Sequence, residues 1–336
     1  MQSATDQALT VDQPAGTAID ISVVVPLYGC TPFIEELCRR LRATLSRIVA
    51  RYEIILVDDC GPDDAWPVIQ AQAASMPEVR GIRLSRNFGQ HAAIGAGLSV
   101  SRGAWVAVLD GDLQDPPEEI ARLYEQVGEQ DGLGPDIVFA RRRQRPETLS
   151  RRFASRTYFR LLSALSDSPI DGREGSLTLF SRKVADAYSA VSDQDRHHVM
   201  LLRWLGYKQV TIEYDQDPRK EGRSSYTLAK LIDSAIRGLL FTSTKLLRAI
   251  VYIGILSSLL GFLLAGMIIL QYFRHDITPG WTSLAVIQLV VGGAIIVSVG
   301  TVGMYVGRIF DQVRGRPLFV IDRAIGPRPI LPERRP

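Results

Sequence analysis

Two stretches of this chain, 249–273 and 284–306, contain no Asp, Glu, Lys or Arg. As a helix, the first would span about 37 Å at ~1.5 Å per residue, more than the ~30 Å of a bilayer's hydrocarbon core. The second is similar in length. A buried helix of a globular domain can be apolar all round but rarely runs so long, so the pair reads as a transmembrane hairpin joined by the short segment 274–283. Lys245 and Arg248 precede the first stretch, and Arg308, Arg314 and Arg316 follow the second, while the connecting segment has Arg274 balanced by Asp276. The excess of basic residues outside the hairpin places both termini in the cytoplasm. The segment 226–248 alternates Lys230, Asp233, Arg237 and Lys245 with Leu228, Leu231, Ile232, Ile236 and Leu240. That pattern suits a helix lying at the membrane interface or packed on the preceding domain.

Ahead of these stretches the chain reads as a mixed α/β domain. Short, continuous apolar runs at 21–25, 53–57, 79–84, 105–109 and 136–140 alternate with helical spacing over 35–50, 64–75, 90–101 and 117–128. Such alternation predicts a mostly parallel sheet covered by helices on both faces. Ligands in such sheets bind beyond the carboxyl ends of the strands, where Pro26-Leu27-Tyr28, Asp58-Asp59 and Asp110-Gly111-Asp112 fall. Residues 1–18 are polar and acidic and lack a secretion signal, so they read as a flexible tail before a domain that stays in the cytoplasm. Cys30, Cys38 and Cys60 lack metal spacing and even pairing, which fits free thiols in a reducing compartment. A net charge of +3 gives no case for nucleic acid.

The strongest chemical signal is Asp110-Gly111-Asp112-Leu113-Gln114-Asp115-Pro116-Pro117-Glu118. Two carboxylates one residue apart at a strand end can converge on a hard cation, Mg²⁺ or Mn²⁺, that bridges diphosphate oxygens. This string closely resembles the metal motif of family 2 glycosyltransferases. The nearest subgroup is the polyprenyl-phosphate glycosyltransferases, dolichol-phosphate mannose synthase-like and GtrB- and ArnC-like. Val24-Val25-Pro26-Leu27-Tyr28, Leu56-Val57-Asp58-Asp59 with Asp63, Leu84-Ser85-Arg86-Asn87-Phe88-Gly89-Gln90, Tyr305-Val306-Gly307-Arg308-Ile309 and Val313-Arg314-Gly315-Arg316-Pro317 agree in order, so the likeness covers about residues 19–320.

The resemblance implies a GT-A-type nucleotide-sugar-binding domain over 19–225, an interfacial helix over 226–248, the hairpin over 249–307 and a cytoplasmic tail over 308–336. It implies transfer of a sugar, with inversion, from a nucleotide-sugar (UDP-hexoses being the best guess) to a polyprenyl phosphate such as undecaprenyl phosphate at the inner membrane. Position by position, Pro26, Leu27, Tyr28, Asp58, Asp59 and Asp110 would hold the nucleotide. Asp110, Asp112 and Gln114 would hold the metal. Arg142 matches an arginine near the diphosphate, and Arg145, Arg151, Ser155 and Arg219 would meet the lipid phosphate. Membrane lipids and a homo-oligomer, up to a tetramer, are further partners in the group.

The chain departs from the pattern in places. Gly29-Cys30 stands where Asn-Glu is usual, and Ser225 where a lysine is. The expected Asp–x–Gly–x–Phe–Arg string, anchored on Gly175, puts Arg173 and Thr178 at the Asp and Arg positions, leaving Asp171 and Glu174 as candidate catalytic carboxylates beside Asp112 and Arg142. His91, His197 and His198 lack metal spacing, and Trp204, Tyr207 and Tyr214 read as packing residues. A polysaccharide-elongating transferase or a non-catalytic nucleotide-sugar sensor are the competing readings; the processive Q-x-x-R-W string is absent.

Overall fold

A computed structural model describes residues 19–128, 134–143, 174–193, 197–216 and 281–326, with isolated positions 252, 256 and 263. The tail 1–18, the segment 226–248 and almost all of 249–273 lie outside the described residues.

The elements in chain order are β1 (Ile21–Leu27), α1 (Ile34–Ile48), β2 (Tyr52–Asp58), α2 (Trp66–Ser75), β3 (Val79–Leu84), α3 (Gln90–Val100), β4 (Trp105–Val108) and α4 (Glu119–Glu125). They continue with β5 (Ile137–Arg142), β6 (Glu174–Ser181), α5 (Arg182–Ala190), α6 (His198–Trp204), β7 (Gln209–Tyr214), α7 (Trp281–Val313) and β8 (Ile321–Ile325).

The first four strands are hydrogen-bonded in parallel in the order β4-β1-β2-β3. Every residue of β1 and β2 is buried, as befits strands covered on both faces. Their side chains alternate between two cores. Val23, Val25, Ile54 and Leu56 join Leu37, Leu41 and Leu45 of α1 and Ile69 of α2 on one face. Val24, Ile55 and Val57 join Ile94 and Leu98 of α3 and Val184 of α5 on the other. This period of two against a period of 3.6 is what the apolar spacing predicts.

The wings of the sheet differ from the expected pattern. β6 runs antiparallel between β4 and β5, and β5 pairs in parallel with β7, so the full order is β7-β5-β6-β4-β1-β2-β3-β8. The sheet is therefore mixed, an α/β arrangement of GT-A-like kind. The strand at 137–142 does not lie beside its predecessor β4: the later strand β6, whose Leu177, Leu179 and Phe180 are wholly buried, stands between them. The opposite edge is closed by β8, antiparallel to β3. A strand within the C-terminal segment thus completes the same sheet that the N-terminal residues begin.

The described residues fall into two compact units, the sheet with its helices and a second that holds α7. Helix α7 has 33 residues, about 50 Å at ~1.5 Å per residue. Leu284, Ile295, Val299, Val302 and Val306 on it are exposed. Some of its side chains lie outside the described set, and among the described residues no helix is long and apolar enough to cross a membrane.

Candidate functional site

The carboxyl ends of β1, β2 and β4 open into a cavity of about 310 Å³, at the lower end of the size that holds small ligands. Pro26, Leu27 and Tyr28 line one wall from β1, Asp110, Gly111 and Asp112 another after β4, and Asp59, Asn87, Gly89 and Gln90 a third. Cys30 completes the lining. Tyr28 is 55% exposed, a ring available at the rim for stacking.

The third wall has a specific construction. Both oxygens of Asp59 are engaged, accepting the backbone N–H groups of Phe88 at 2.8 Å and Gly89 at 2.9 Å. Gly89 has φ +94°, a conformation that a side chain would strain. The loop so held starts α3, whose first residue Gln90 donates from Nε2 to Asp110 Oδ1 at 2.6 Å. Asp59 therefore latches the loop that in turn orients Asp110. Burial raises the pKa of Asp59, and the two N–H groups oppose that shift. Asp58 sits deeper, 1% exposed, with Arg83 Nε 3.5 Å away. Burial lifts its pKa and Arg83 opposes it.

The acidic wall carries an unbalanced charge. Burial pushes Asp110 up to about 6, and the neighbouring Asp115 and Asp112 add to the effect, against the pull of Arg142. Gln114 folds back on Asp112, its backbone N–H donating to Oδ1 at 3.1 Å and its side-chain amide donating to Oδ2 at 2.5 Å. Leu113, between them, is buried with φ +58°, a turn that brings Gln114 over Asp112. Cys30 stays a thiol, pushed up to about 11 by burial and by the nearby aspartates.

Among the described residues, no three His, Cys, Asp or Glu side chains are arranged to hold an ion alone. The set present is two carboxylates, Asp110 and Asp112, and the amide oxygen of Gln114. Hard oxygen donors of this number suit Mg²⁺ or Mn²⁺ when substrate phosphates complete the shell, because these ions commonly take only one or two protein carboxylates. The residues fit such an ion.

Behind the acidic motif lies a polar cluster that sequence reasoning did not assemble. Asp115 is wholly buried. It accepts the Tyr214 hydroxyl at 2.6 Å and the Gln216 amide at 3.2 Å, and Arg142 Nη2 lies 3.4 Å from both its oxygens. Burial disfavours the charged guanidinium, but Asp115 and Tyr214 outweigh it and hold Arg142 above the ordinary arginine value. Tyr214, taken from sequence as a packing residue, does pack, and its hydroxyl also serves this cluster. No spacing in the sequence links positions 115, 142 and 214; the parallel pairing of β5 with β7, which sets Arg142 opposite Tyr214, does so.

Of the other residues singled out from sequence, Glu174 opens β6 opposite Arg141. Asp171, Arg145, Arg151, Ser155 and Arg219 lie outside the described residues. Asn87 and Gln90, within the string 84–90, line the cavity, a placement that no spacing in the sequence signals. The histidines His91, His197 and His198, which lack metal spacing, cluster away from the cavity lining. His198 faces Thr178 Oγ1 at 2.9 Å through Nε2, and the rings of His91 and His197 lie 4.7 Å apart.

Residues 22–189 match the family described as Glycosyl transferase family 2. An uncharacterised glycosyltransferase of Bacillus subtilis is 34% identical over 310 residues, covering 92% of this chain and 95% of its own. An undecaprenyl-phosphate 4-deoxy-4-formamido-L-arabinose transferase of Photorhabdus laumondii is 33% identical over 313 residues, covering 91% of this chain and 94% of its own. Among solved structures, a mannosyltransferase of Pyrobaculum calidifontis in complex with GDP-Man and Mn²⁺ aligns with a TM-score of 0.44 at 16% identity, over 84% of this chain and 88% of that one. On the family match and on identities sustained over nine tenths of its length, this chain belongs to glycosyl transferase family 2.

Proposed function

We propose that this glycosyltransferase moves a sugar from a nucleotide-sugar, a UDP-sugar, to a polyprenyl phosphate, undecaprenyl phosphate, at the inner face of the cytoplasmic membrane. The observation that carries the reading is the cavity at the strand ends, where Asp110 and Asp112 share a lining with Pro26, Leu27 and Tyr28, and Arg142 is held against Asp115 of the same acidic motif. Polar groups for a diphosphate thus lie beside a surface for a base. The acceptor is supported by the relatives named as undecaprenyl-phosphate transferases, whose likeness runs through the C-terminal segment.

The chemistry follows from these groups. A phosphate oxygen of the acceptor is anionic near neutral pH and attacks the anomeric carbon directly. The bond from that carbon to the donor's diphosphate oxygen breaks, and the nucleoside diphosphate leaves, with inversion at carbon. No strong general base is required. The chain's tasks are alignment, neutralisation of the leaving diphosphate and exclusion of water. Tyr28 and Leu27 border the space for the base, the Asp59 latch fixes the loop around it, and Arg142 offers a positive charge. A divalent ion, held by Asp110, Asp112 and Gln114, would supply Lewis-acid stabilisation of the diphosphate.

The membrane reading rests on the two uncharged stretches and on the exposed apolar side chains Leu284, Ile295, Val299 and Val306 of α7 and Tyr252, Leu256 and Leu263 of the first stretch. The return of the chain to β8 adds a topological support. A chain that begins and ends in one sheet can cross a bilayer between them only an even number of times, as a hairpin does.

The test is incubation of the purified chain with a panel of nucleotide-sugars, Mg²⁺ or Mn²⁺ and undecaprenyl phosphate, scored by mass spectrometry of the lipid. A glycosylated lipid phosphate is the expected product. Nucleotide-sugar binding without any lipid product would replace the transferase with a sensor.

A further inference from the structure

We infer that Tyr214 is a positioning residue for donor binding: with Asp115 and Gly175 it clamps the Arg142 guanidinium in one orientation toward the diphosphate space. This rests on the proposed function and specifies how its arginine is made ready. It also places a determinant of donor affinity on β7, beyond the stretch 22–189 that defines the family match.

The clamp has three sides. Arg142 Nε donates to the Tyr214 hydroxyl at 3.2 Å, and that hydroxyl donates onward to Asp115 Oδ1 at 2.6 Å. Nη2 of the same guanidinium faces both Asp115 oxygens at 3.4 Å. The third side is Gly175 on β6, where a Cβ would lie 2.8 Å from Arg142 Nη2 and 3.2 Å from Cζ. The plane of the guanidinium thus rests on backbone that only glycine leaves bare. Tyr214 and Asp115 are both wholly buried, so their hydroxyl and carboxylate cannot turn to water instead. A buried carboxylate with an arginine, a tyrosine and a glutamine around it is a completed network, which holds one geometry rather than several. The clamp grips Asp115, the residue that follows Gln114, so the guanidinium is held at the end of the acidic motif that carries Asp110 and Asp112.

An unclamped arginine has the same charge and several rotamers to choose among. Fixing it beforehand removes that entropy from the cost of binding a diphosphate. The hydroxyl is the smallest part of the clamp that can be removed alone. Tyr214→Phe keeps the ring that fills the core. Gly175→Ala displaces the guanidinium from the opposite side without touching Tyr214, and φ at Gly175 is not in the left-handed region.

The experiment is calorimetric titration of the full-length protein with UDP, GDP, CDP and ADP in Mn²⁺, for the wild type, Tyr214→Phe, Gly175→Ala, Arg142→Lys and the double variant Tyr214→Phe/Arg142→Lys. Each of the first two single variants is expected to weaken the preferred nucleotide by about tenfold, the size of one hydrogen bond to a charged group. In the Arg142→Lys background the Tyr214→Phe loss is expected to vanish, because there is no guanidinium left to hold. Thermal midpoints measured alongside separate a general loss of fold. Additive losses in the double variant, or unchanged affinity in both Tyr214→Phe and Gly175→Ala, overturn the inference. If the coupling appears but no sugar reaches lipid, the clamp stands and the proposed acceptor falls; if no nucleotide binds the wild type, both fall.

Discussion

Replacing Asp59 by Asn tests whether this residue acts as a latch on the loop 85–90. In the structure its two oxygens take the N–H groups of Phe88 and Gly89, and it is 2% exposed, so solvent screens neither bond. Hydrogen bonds to a charged acceptor contribute roughly 1.5–3 kcal/mol each. The asparagine keeps one carbonyl oxygen and turns its NH₂ toward the second backbone donor. One bond is lost and the other becomes neutral, a local loss of about 2–4 kcal/mol for the loop. At 1.4 kcal/mol per tenfold, amide exchange at Phe88 and Gly89 should accelerate about 30- to 1,000-fold. Global stability should respond much less. Burial raises the pKa of Asp59 even with both amides in place, so the ionised group sits in the fold at a net cost that the neutral amide avoids. The sign follows: this raised acid favours the folded state as pH falls, and its removal forfeits nothing at neutral pH. Hydrogen exchange followed by mass spectrometry on the peptide spanning 85–90, beside a thermal melt, measures both. Loop exchange within threefold of the wild type would refute the latch, and so would a melt that collapses in parallel.

Asp112→Asn should lower sugar transfer by more than about a hundredfold while circular dichroism stays unchanged, and EDTA should silence the wild type until Mn²⁺ or Mg²⁺ is restored; undiminished turnover in either arm removes the metal. Glu53, 2% exposed, accepts from Ser22 at 2.7 Å, Arg80 at 2.8 Å and the Arg102 backbone at 2.8 Å, far from the cavity. Glu53→Ala strands the Arg80 guanidinium and should cost about 3–5 kcal/mol in urea denaturation, with a loss under 1 kcal/mol arguing that water repays the charge. Stability should also fall on acidification from pH 7.5 to 5.5. Burial holds His91 at about 3 and lowers His197 and His198, so the unfolded chain takes up protons below its ordinary value of about 6.5 while the folded chain does not. Asp110, raised to about 6, opposes this, as do Asp58 and Asp59, which burial also raises. A melting temperature that is flat across that range would contradict the buried, neutral histidines.

How much of this could be read before the fold was seen varies by region. The strands β1 to β4 and helices α1 to α3 were legible because each is a local pattern: β-branched runs bounded by Pro26, Asp58-Asp59 and Asp110, and leucines at helical spacing in α1. The motif residues Asp110, Asp112 and Gln114 were legible because they are adjacent in the chain. Gln90, by contrast, reaches Asp110 across 20 residues, and Asp59 reaches the Phe88-Gly89 backbone across 29 and 30. A backbone N–H given to a distant carboxylate leaves no residue-type signature, and a side-chain pair 20 residues apart leaves none in the spacing. The resemblance gives Asp59 to the nucleotide, whereas in the structure its carboxylate holds the loop beside the cavity.

The sheet's wings make the same point. Local pattern says that residues 137–142 form a strand but not beside which neighbour, since edge order depends on segments still to come. β6 inserts antiparallel between β4 and β5, and β8 closes the far edge after a departure and return of more than two hundred residues in the chain, as read from the pairing of Gly81 with Ile325. By itself, the amino-acid order determined the α/β core, the acidic motif and the uncharged stretches, because periodicity, adjacency and composition act over a few residues. Tertiary structure alone decided that Tyr214, Asp115, Arg142 and Gly175 share one site. Contacts between distant segments arise from packing the whole sheet, and a buried carboxylate must find its partners wherever that packing brings them.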